Sequence, residues 1–241
     1  MQTLVIGCEK YYKKTFSEEI QDKMIFHDHI GFKRDDYREC TLELILDDIA
    51  EFQSRLSLDK VVIVGHSIHA YMATEYARRF PHKVGKIVLI GSGPYIDFEA
   101  ADNYFKDFAS NDRKAALEYN FNLPLGHFAH DPFIDRMLRL RPMLWYDYNY
   151  DAKKLWEGIE FNNRAAEIIW GKMFENYKVP QLQHDILVMI GKYDFFNPPN
   201  LWENNVFKMD KSNLVLFEKS GHNPQLEERQ LFNEKVLNFI T

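Results

Sequence analysis

Cysteine and long apolar runs are both scarce in this chain. Its 241 residues include only two cysteines, Cys8 and Cys40, which is too few for a disulfide framework and favours a reducing compartment. No apolar run approaches the roughly 18 residues that cross a bilayer. Residues 1–7 also lack the basic start and the longer apolar core of a secretory signal. We therefore expect a cytoplasmic protein.

An excess of positive charge is also absent. The formal net charge is −6, and no basic block is long enough to bind a polyanion or an anionic lipid. Nucleic acids and membranes are therefore not expected partners. Hydrophobic residues make up 46% of the chain and charged residues 27%, as in ordinary globular proteins, and the length suits one large α/β domain or two small ones.

The most informative stretch that is present is VVIVGHSIHA, residues 61–70. An apolar, β-branched run ends at Gly65, Ser67 follows two residues later, and a helical pattern begins at once. Such a strand-to-helix turn exposes the serine hydroxyl at a helix N-terminus, where backbone N–H groups favour negative charge. By itself this serine could be an ordinary helix N-cap, and its hydroxyl needs a base before it can act as a nucleophile.

A carboxylate and an imidazole follow two later strand-like runs. Residues 186–191 form one apolar run with Asp194 just beyond it, and residues 214–217 form another that leads to His222. The ends of parallel strands gather at one edge of a sheet, and the order serine, aspartate, histidine is that of hydrolases built on such a turn. The sequence therefore predicts Ser67 as nucleophile, His222 as general base and Asp194 as its orienting acid.

The hydrophobic pattern alternates between strand and helix over the first 90 residues. We predict strands at 3–6, 23–27, 61–64 and 84–90, and helices at 16–21, 41–56 and 68–80. This alternation implies an α/β fold with a parallel sheet covered on both faces. From about 98 to 178 the sequence is helical in character and rich in aromatic residues, without a strong strand signal.

Three motifs together carry a family resemblance: residues 65–67, residues 191–194, and residues 220–222 with Glu227 and Glu228 beyond. On these the chain resembles the α/β-hydrolase superfamily, and within it the branch of proline iminopeptidases and related small serine hydrolases. The resemblance implies a hydrolase core of residues 1–97 and 181–241. It also implies a helical cap of residues 98–180, inserted between the sixth and seventh strands of the family fold.

The family's N-terminal pair of antiparallel strands has no counterpart before residue 3. If the chain is complete, the strand at 23–27 becomes a sheet edge, and exposed edges pair with other chains. We therefore expect a homodimer through that edge, a second polypeptide that covers it, or poor solubility.

The resemblance also implies an oxyanion hole from the backbone amides of Ile68 and Cys8, or of Glu9 if the alignment shifts by one residue. His69 stands where the G-x-S-x-G pattern has its last glycine, and it is a weaker alternative for the base. Asp97 is the weaker alternative for the acid. No cofactor is needed, and no further ligands stand at metal spacing around His27-Asp28-His29, so a metal site is not expected.

The expected substrate is small and partly apolar, because a cap closes over the site. Trp145 and Tyr146 are the best candidates to line its pocket, and the carboxylates Glu157, Glu160 and Glu167 could bind a free α-ammonium group. The activity expected is hydrolysis of an ester or of an N-terminal aminoacyl bond, as in proline iminopeptidases. A carbon–carbon bond hydrolase of the same fold and a non-catalytic ligand-binding protein remain alternatives.

Overall fold

The computed structural model describes residues 1–30, 41–160, 171, 177–203 and 212–241. Its framework is a six-stranded sheet in the order β2-β1-β3-β4-β5-β6, in which every neighbouring pair is parallel. The strands are β1 Gln2–Ile6, β2 Met24–His27, β3 Val61–His66, β4 Val84–Ile90, β5 Asp185–Gly191 and β6 Ser212–Phe217. They match the strands expected from the sequence to within two residues at each end.

Helices fill the connections between these strands. Before β4 they are α1 Glu9–Thr15, α2 Glu18–Gln21, α3 Leu42–Arg55 and α4 Ile68–Arg79, with a 3₁₀ turn at Pro81–Lys83. Between β4 and β5 they are α5 Phe98–Phe108, α6 Asn111–Asn122, α7 Pro132–Arg139, α8 Arg141–Leu144 and α9 Lys153–Trp156. The last three are α10 Asn200–Glu203, α11 Pro224–Glu227 and α12 Arg229–Ile240. Within the described ranges, none of them is long and apolar enough to span a bilayer.

The two faces of the sheet carry separate apolar cores. Val5 and Val64 pack on one face with α1, α2 and α12, whereas Leu4 and Ile63 pack on the other with α3 and α4. Full burial of one such side chain contributes roughly 1.5–3 kcal/mol. Because both faces are covered, the strands read in the sequence as continuous apolar runs rather than as alternating ones.

The strand order reverses at β1. The chain passes from β1 to β2 on one side and then returns to β3 on the other. Open α/β sheets bind their ligands beyond the carboxyl ends of the strands at such a switch point. Cys8 follows β1 and Ser67 follows β3, so the fold places two of the expected site residues at this crevice.

Helices α5 to α9 occupy the part of the chain where the sequence predicts a cap. A buried ion pair between Arg139 Nε and Asp135 Oδ2, 2.7 Å apart, joins successive turns of α7. A single antiparallel bridge between Tyr95 and Lys178 brings the two ends of this insertion together. Residues 161–170 and 172–176 lie outside the described ranges, so the cap boundaries 98 and 180 stay a prediction.

Candidate active site

Ser67 occupies a strained turn between β3 and α4. Its φ of 56° and ψ of −125° lie in a region that residues other than glycine rarely adopt, at a cost of about 1–3 kcal/mol. Its backbone N–H donates to the carbonyl of Ile90, 2.8 Å away, which fixes the turn to β4. A Cβ at Gly65 would overlap the main-chain carbonyl of His69, so only glycine lets the helix leave the strand this closely. The turn therefore presents the Ser67 side chain beyond the strand end.

His222 and Asp194 meet beyond β6 and β5. The His222 Nδ1 and Asp194 Oδ2 atoms are 2.8 Å apart, and the aspartate side chain is completely buried. Asp194 Oδ1 accepts hydrogen bonds from the backbone amides of Phe196 and Asn197. An ionised carboxylate can only accept, so the imidazole carries its proton on Nδ1 and leaves Nε2 as an acceptor. This is the arrangement that a histidine general base requires.

The loop that carries His222 is fixed by its backbone. The His222 N–H donates to the carbonyl of Leu144 at 2.7 Å, and its own carbonyl accepts from His66 Nε2 at 2.8 Å. Burial lowers the pKa of His66 to about 3, so this imidazole is neutral and keeps its proton for that hydrogen bond. His66, the residue before Ser67, thus ties the strand-to-helix turn to the histidine loop.

Ser67 and His222 line the same cavity. The centre of a water molecule can move through about 90 Å³ of it, which is room for several waters or a small organic molecule. Its wall is mainly aromatic and aliphatic, with contributions from Tyr11, Phe133, Met137, Leu144, Trp156 and Phe196. Among the described residues that line it, none has an aspartate, glutamate, lysine or arginine side chain.

Both residues expected to supply the oxyanion amides line the cavity. Ile68 is the first residue of α4 and Cys8 is the N-cap of α1, and both line the cavity. The N–H groups at the start of a helix have no carbonyl partner within it, so they are available to a ligand. The amide of Glu9, the alternative to Cys8, instead donates to Asp28 Oδ1 at 2.6 Å. The geometry therefore favours the Cys8 amide.

Comparisons with known proteins identify the family. The model of the alpha/beta hydrolase fold matches residues 17–229. The chain belongs to this family. AB hydrolase superfamily protein YclE of Bacillus subtilis (strain 168) is 34% identical over 255 residues, which cover 98% of this chain and 90% of that protein.

One further relative and one solved structure of similar fold are compared with the chain. A 2-hydroxy-6-oxononadienedioate/2-hydroxy-6-oxononatrienedioate hydrolase 1 of Pseudomonas putida is 26% identical over 199 residues, or 78% of this chain and 65% of that protein. An esterase from Exiguobacterium antarcticum shares the fold with a TM-score of 0.68 at 18% identity, covering 100% of this chain and 92% of that one. The fold class expected from the sequence is thereby confirmed.

His69 is the point where this α/β hydrolase departs from the G-x-S-x-G pattern. Its ring lies over Gly7, where a Cβ would come within 2.7 Å of His69 Nδ1. Gly7 has a φ of +129° and no side chain, so it leaves room for the imidazole. His69 Nδ1 pairs with the hydroxyl of Tyr12 at 3.1 Å, and burial lowers the pKa of His69 to about 3. His69 lines the cavity, but its low pKa makes the imidazole a weak proton acceptor and its Nδ1 is paired with Tyr12, which does not favour it as the alternative base.

Asp97, the alternative acid, caps a helix in this hydrolase. It is the N-cap of α5, and its Oδ1 accepts from the amide of Ala100 at 2.8 Å. Such caps stabilise a helix start by satisfying one of its orphan N–H groups. The contacts therefore favour Asp194, and not Asp97, as the partner of His222.

Of the two residues expected to line the pocket, only one does so. Trp145 is buried and lines the cavity, whereas Tyr146 lies outside its wall, 41% exposed, with its ring packed on Tyr193. The expectation for Tyr146 is corrected on this point, because neighbouring residues of an extended segment face opposite ways. Glu157 and Glu160 are exposed and do not line the cavity, and Glu167 lies outside the described residues.

Helix α1 contributes to the site, although the sequence does not predict it. Tyr11 and Tyr12 are buried, line the cavity and come from a helix that the sequence did not predict. The Tyr11 hydroxyl donates to Asn223 Oδ1 at 2.7 Å, next to His222. The motif EKYYKKT offers little apolar periodicity, so only the presence of two adjacent tyrosines just after β1 could have indicated this role.

The histidine cluster after β2 is engaged in structural contacts. His27 Nε2 lies 2.8 Å from Asp48 Oδ2, and Asp28 accepts from the Glu9 amide. In the part of the chain that the structure describes, no group of three or more histidine, cysteine, aspartate or glutamate side chains is arranged to hold a metal ion.

Proposed function

We propose that this chain is a serine hydrolase that cleaves a small ester with an uncharged, apolar acyl group through an acyl-enzyme. One observation carries the proposal. An imidazole, hydrogen-bonded through Nδ1 to a fully buried aspartate, shares a cavity wall with a serine held in a strained strand-to-helix turn. This arrangement matches the roles of base, orienting acid and nucleophile in acyl transfer.

The proposed reaction has two steps. His222 Nε2 removes the proton of Ser67 Oγ as this oxygen attacks the ester carbonyl, and the amides of Ile68 and Cys8 stabilise the resulting oxyanion. The imidazolium, stabilised by Asp194, then gives its proton to the departing alkoxide, and an alcohol leaves. In the second step His222 deprotonates a water molecule, which attacks the acyl-enzyme and releases the acid and the free Ser67 hydroxyl.

The charge of the cavity wall selects among substrates. Burial of an ion without a partner is costly, and the described wall has no charged side chain. A proline iminopeptidase substrate has a free α-ammonium group, which would lack a carboxylate partner among the described residues of this wall. The substrate named for the Pseudomonas putida relative is a dicarboxylate, which would lack a cationic partner among the same residues. A neutral ester would bury neither an unpaired ammonium group nor an unpaired carboxylate.

A comparison of chromogenic substrates tests this proposal. We expect the wild-type protein to hydrolyse p-nitrophenyl acetate and p-nitrophenyl butyrate, and to leave proline p-nitroanilide intact. The Ser67→Ala variant should show no ester turnover above the uncatalysed rate. Faster cleavage of proline p-nitroanilide than of either ester would instead support the iminopeptidase alternative.

A carbon–carbon bond hydrolase is the second candidate, because the Pseudomonas putida relative is 26% identical to this chain. Incubation with 2-hydroxy-6-oxononadienedioate, followed by its ultraviolet absorbance, distinguishes the two. Loss of the absorbance at a rate that exceeds ester hydrolysis would favour carbon–carbon cleavage. If a folded sample turns over none of these substrates, the non-catalytic binding alternative is favoured.

A further inference from the structure

The cap and the His222 loop are joined by hydrogen bonds that the proposed reaction does not itself use. Residues 142–146, which include the cavity residue Trp145, run beside the loop of residues 221–223. The direct backbone contact is the hydrogen bond from the His222 amide to the Leu144 carbonyl, at 2.7 Å. Both segments therefore border the cavity at the general base.

One carboxylate fastens both segments. Glu227 Oε1 accepts from the amide of Tyr146 at 2.7 Å. Its Oε2 accepts from the amides of Gly221 at 2.9 Å and Asn223 at 3.3 Å, the residues on either side of His222. Glu227 is half-buried, and its partial burial raises the pKa of this carboxyl to about 8.

The opposite side of the cap segment is held by a buried cation. The guanidinium of Arg113, on α6, donates to the carbonyls of Pro142, Trp145 and Tyr146 at 2.8, 2.7 and 2.6 Å. Glu227 thus holds an N–H of this segment, while Arg113 holds its carbonyls. Hydrogen bonds from a charged donor are stronger than neutral ones, so Arg113 fixes the carbonyl side of the segment firmly, and Glu227 holds the other side through the Tyr146 amide.

We propose that Glu227 is a positioning residue that keeps the His222 imidazole directed at Ser67 by fastening its loop to the cap. The inference rests on the proposed function. A base must lie within hydrogen-bond reach of the proton that it removes, and small displacements of catalytic groups reduce rates strongly. Glu227 controls the backbone on both sides of the base, and through Tyr146 it also sets the cap wall beside it.

The neighbouring glutamate offers a matched control. Both oxygens of Glu227 accept from amides, so in Glu227→Gln the side-chain NH₂ must face a backbone N–H on one side. Glu228 accepts through Oε2 from the Lys219 amide and the Ser220 hydroxyl, so in Glu228→Gln the carbonyl oxygen can take over both bonds. The two variants make the same chemical change one residue apart and differ in what they disturb.

The experiment measures kcat and KM for p-nitrophenyl acetate, and the labelling rate of Ser67 by a fluorophosphonate, at pH 9, where Glu227 is ionised. We expect Glu227→Gln to lower kcat and the labelling rate by about tenfold or more with KM changed less than about twofold. Glu228→Gln should stay within about twofold of wild type. Wild-type rates in Glu227→Gln would overturn the proposal.

Proton NMR supplies a second readout that does not require turnover. The proton between His222 Nδ1 and Asp194 should give a low-field resonance in the wild type and in Glu228→Gln, and it should broaden or disappear in Glu227→Gln.

If the wild type is folded but hydrolyses no ester, the proposed function fails. An unchanged resonance in Glu227→Gln would separately overturn the positioning role. Should Glu227→Gln not fold, Glu227→Asp, which keeps the charge but shortens its reach, should show a partial loss; wild-type behaviour there would also overturn it.

Discussion

The three side chains of the proposed mechanism differ in how much their surroundings restrict them. Asp194 is completely buried, and two backbone amides and one imidazole surround its carboxylate. Its rival Asp97 makes a single capping bond at the start of α5. At the scale of single residues, the hydrogen-bond partners of Asp194 therefore favour it over Asp97 as the acid, whereas a position after a strand does not distinguish the two.

A matched pair of substitutions tests this assignment. Asp194→Asn keeps the size but loses the ability to fix the histidine tautomer, so we expect ester kcat to fall by about three to four orders of magnitude. Asp97→Asn should leave kcat within about twofold, because asparagine caps helices as well as aspartate does. Steady-state kinetics of both variants give the answer. Equal losses would contradict the choice of Asp194.

The neutral imidazole of His69 makes stability depend on pH. Its pKa is lowered to about 3 in the folded protein, below the ordinary value of 6.5, so the unfolded chain binds a proton first as the pH falls. The contribution of neutral His69 to the free energy of unfolding is therefore fully present above pH 6.5. It is lost progressively as the pH falls towards 3. Asparagine does not titrate and can still accept from Tyr12. Between pH 6 and 5 the wild type should therefore lose about 1 kcal/mol more unfolding free energy than His69→Asn.

Urea unfolding at the two pH values measures this difference. His69→Asn itself corrects for the carboxylates and other histidines, since these titrate in both proteins. An identical loss of unfolding free energy in the wild type and in the variant would show that His69 is not held neutral.

At the scale of elements, the β3–α4 turn requires glycine at its entry. Gly65→Ala would drive its Cβ into the main-chain carbonyl of His69, which only a backbone shift can relieve, so we expect a loss of about 3 kcal/mol or more. Gly85→Ala, in β4, is the control, because its Cβ would overlap the flexible side-chain end of Met1 and would meet the Val61 carbonyl at an ordinary contact distance of 3.7 Å. It should change the unfolding free energy by less than about 1 kcal/mol. Denaturant unfolding of both variants measures the two changes in unfolding free energy. A similar small effect in both would contradict the requirement for glycine at position 65.

Elements with strong apolar signals could be predicted, and those defined by packing could not. The strands appear in the sequence as Val- and Ile-rich runs, and α3 begins at Leu42 after the expected Thr41 cap, whose hydroxyl accepts from the Leu44 amide. Helix α1 was missed, because its short polar sequence becomes helical only where its tyrosines are buried against the sheet. Local pattern identifies an element that has its own hydrophobic face, but not one that depends on its neighbours.

The same contrast applies to the site. Ser67, Asp194 and His222 follow strands, and the common edge of a parallel sheet made their convergence predictable. The cavity wall is different, since its described part depends on how residues of α7 to α9 pack near that edge. Trp145 and Tyr146 are adjacent in one aromatic run, and no local signal could indicate that the first faces the cavity and the second does not.

At the scale of the whole molecule, β2 forms one edge of the described sheet. The segment that follows it, residues 31–40, lies outside the described residues. An edge strand presents unpaired N–H and C=O groups that can pair with another chain. A homodimer through β2 therefore stays a prediction.

Light scattering after size-exclusion chromatography tests the dimer. A dimer should have twice the chain mass of 28.7 kDa and should keep that mass on dilution into the micromolar range. A single monomeric species at all concentrations would remove edge pairing from the account.

The central claim is that Ser67 is a nucleophile activated by His222 and Asp194. Intact-protein mass spectrometry after exposure to a fluorophosphonate, with peptide mapping of the adduct, tests it most directly. We predict one adduct per wild-type chain, located on Ser67, and none in Ser67→Ala. A folded wild-type protein that stays unlabelled, or a Ser67→Ala variant that is labelled as fast as wild type, would contradict it.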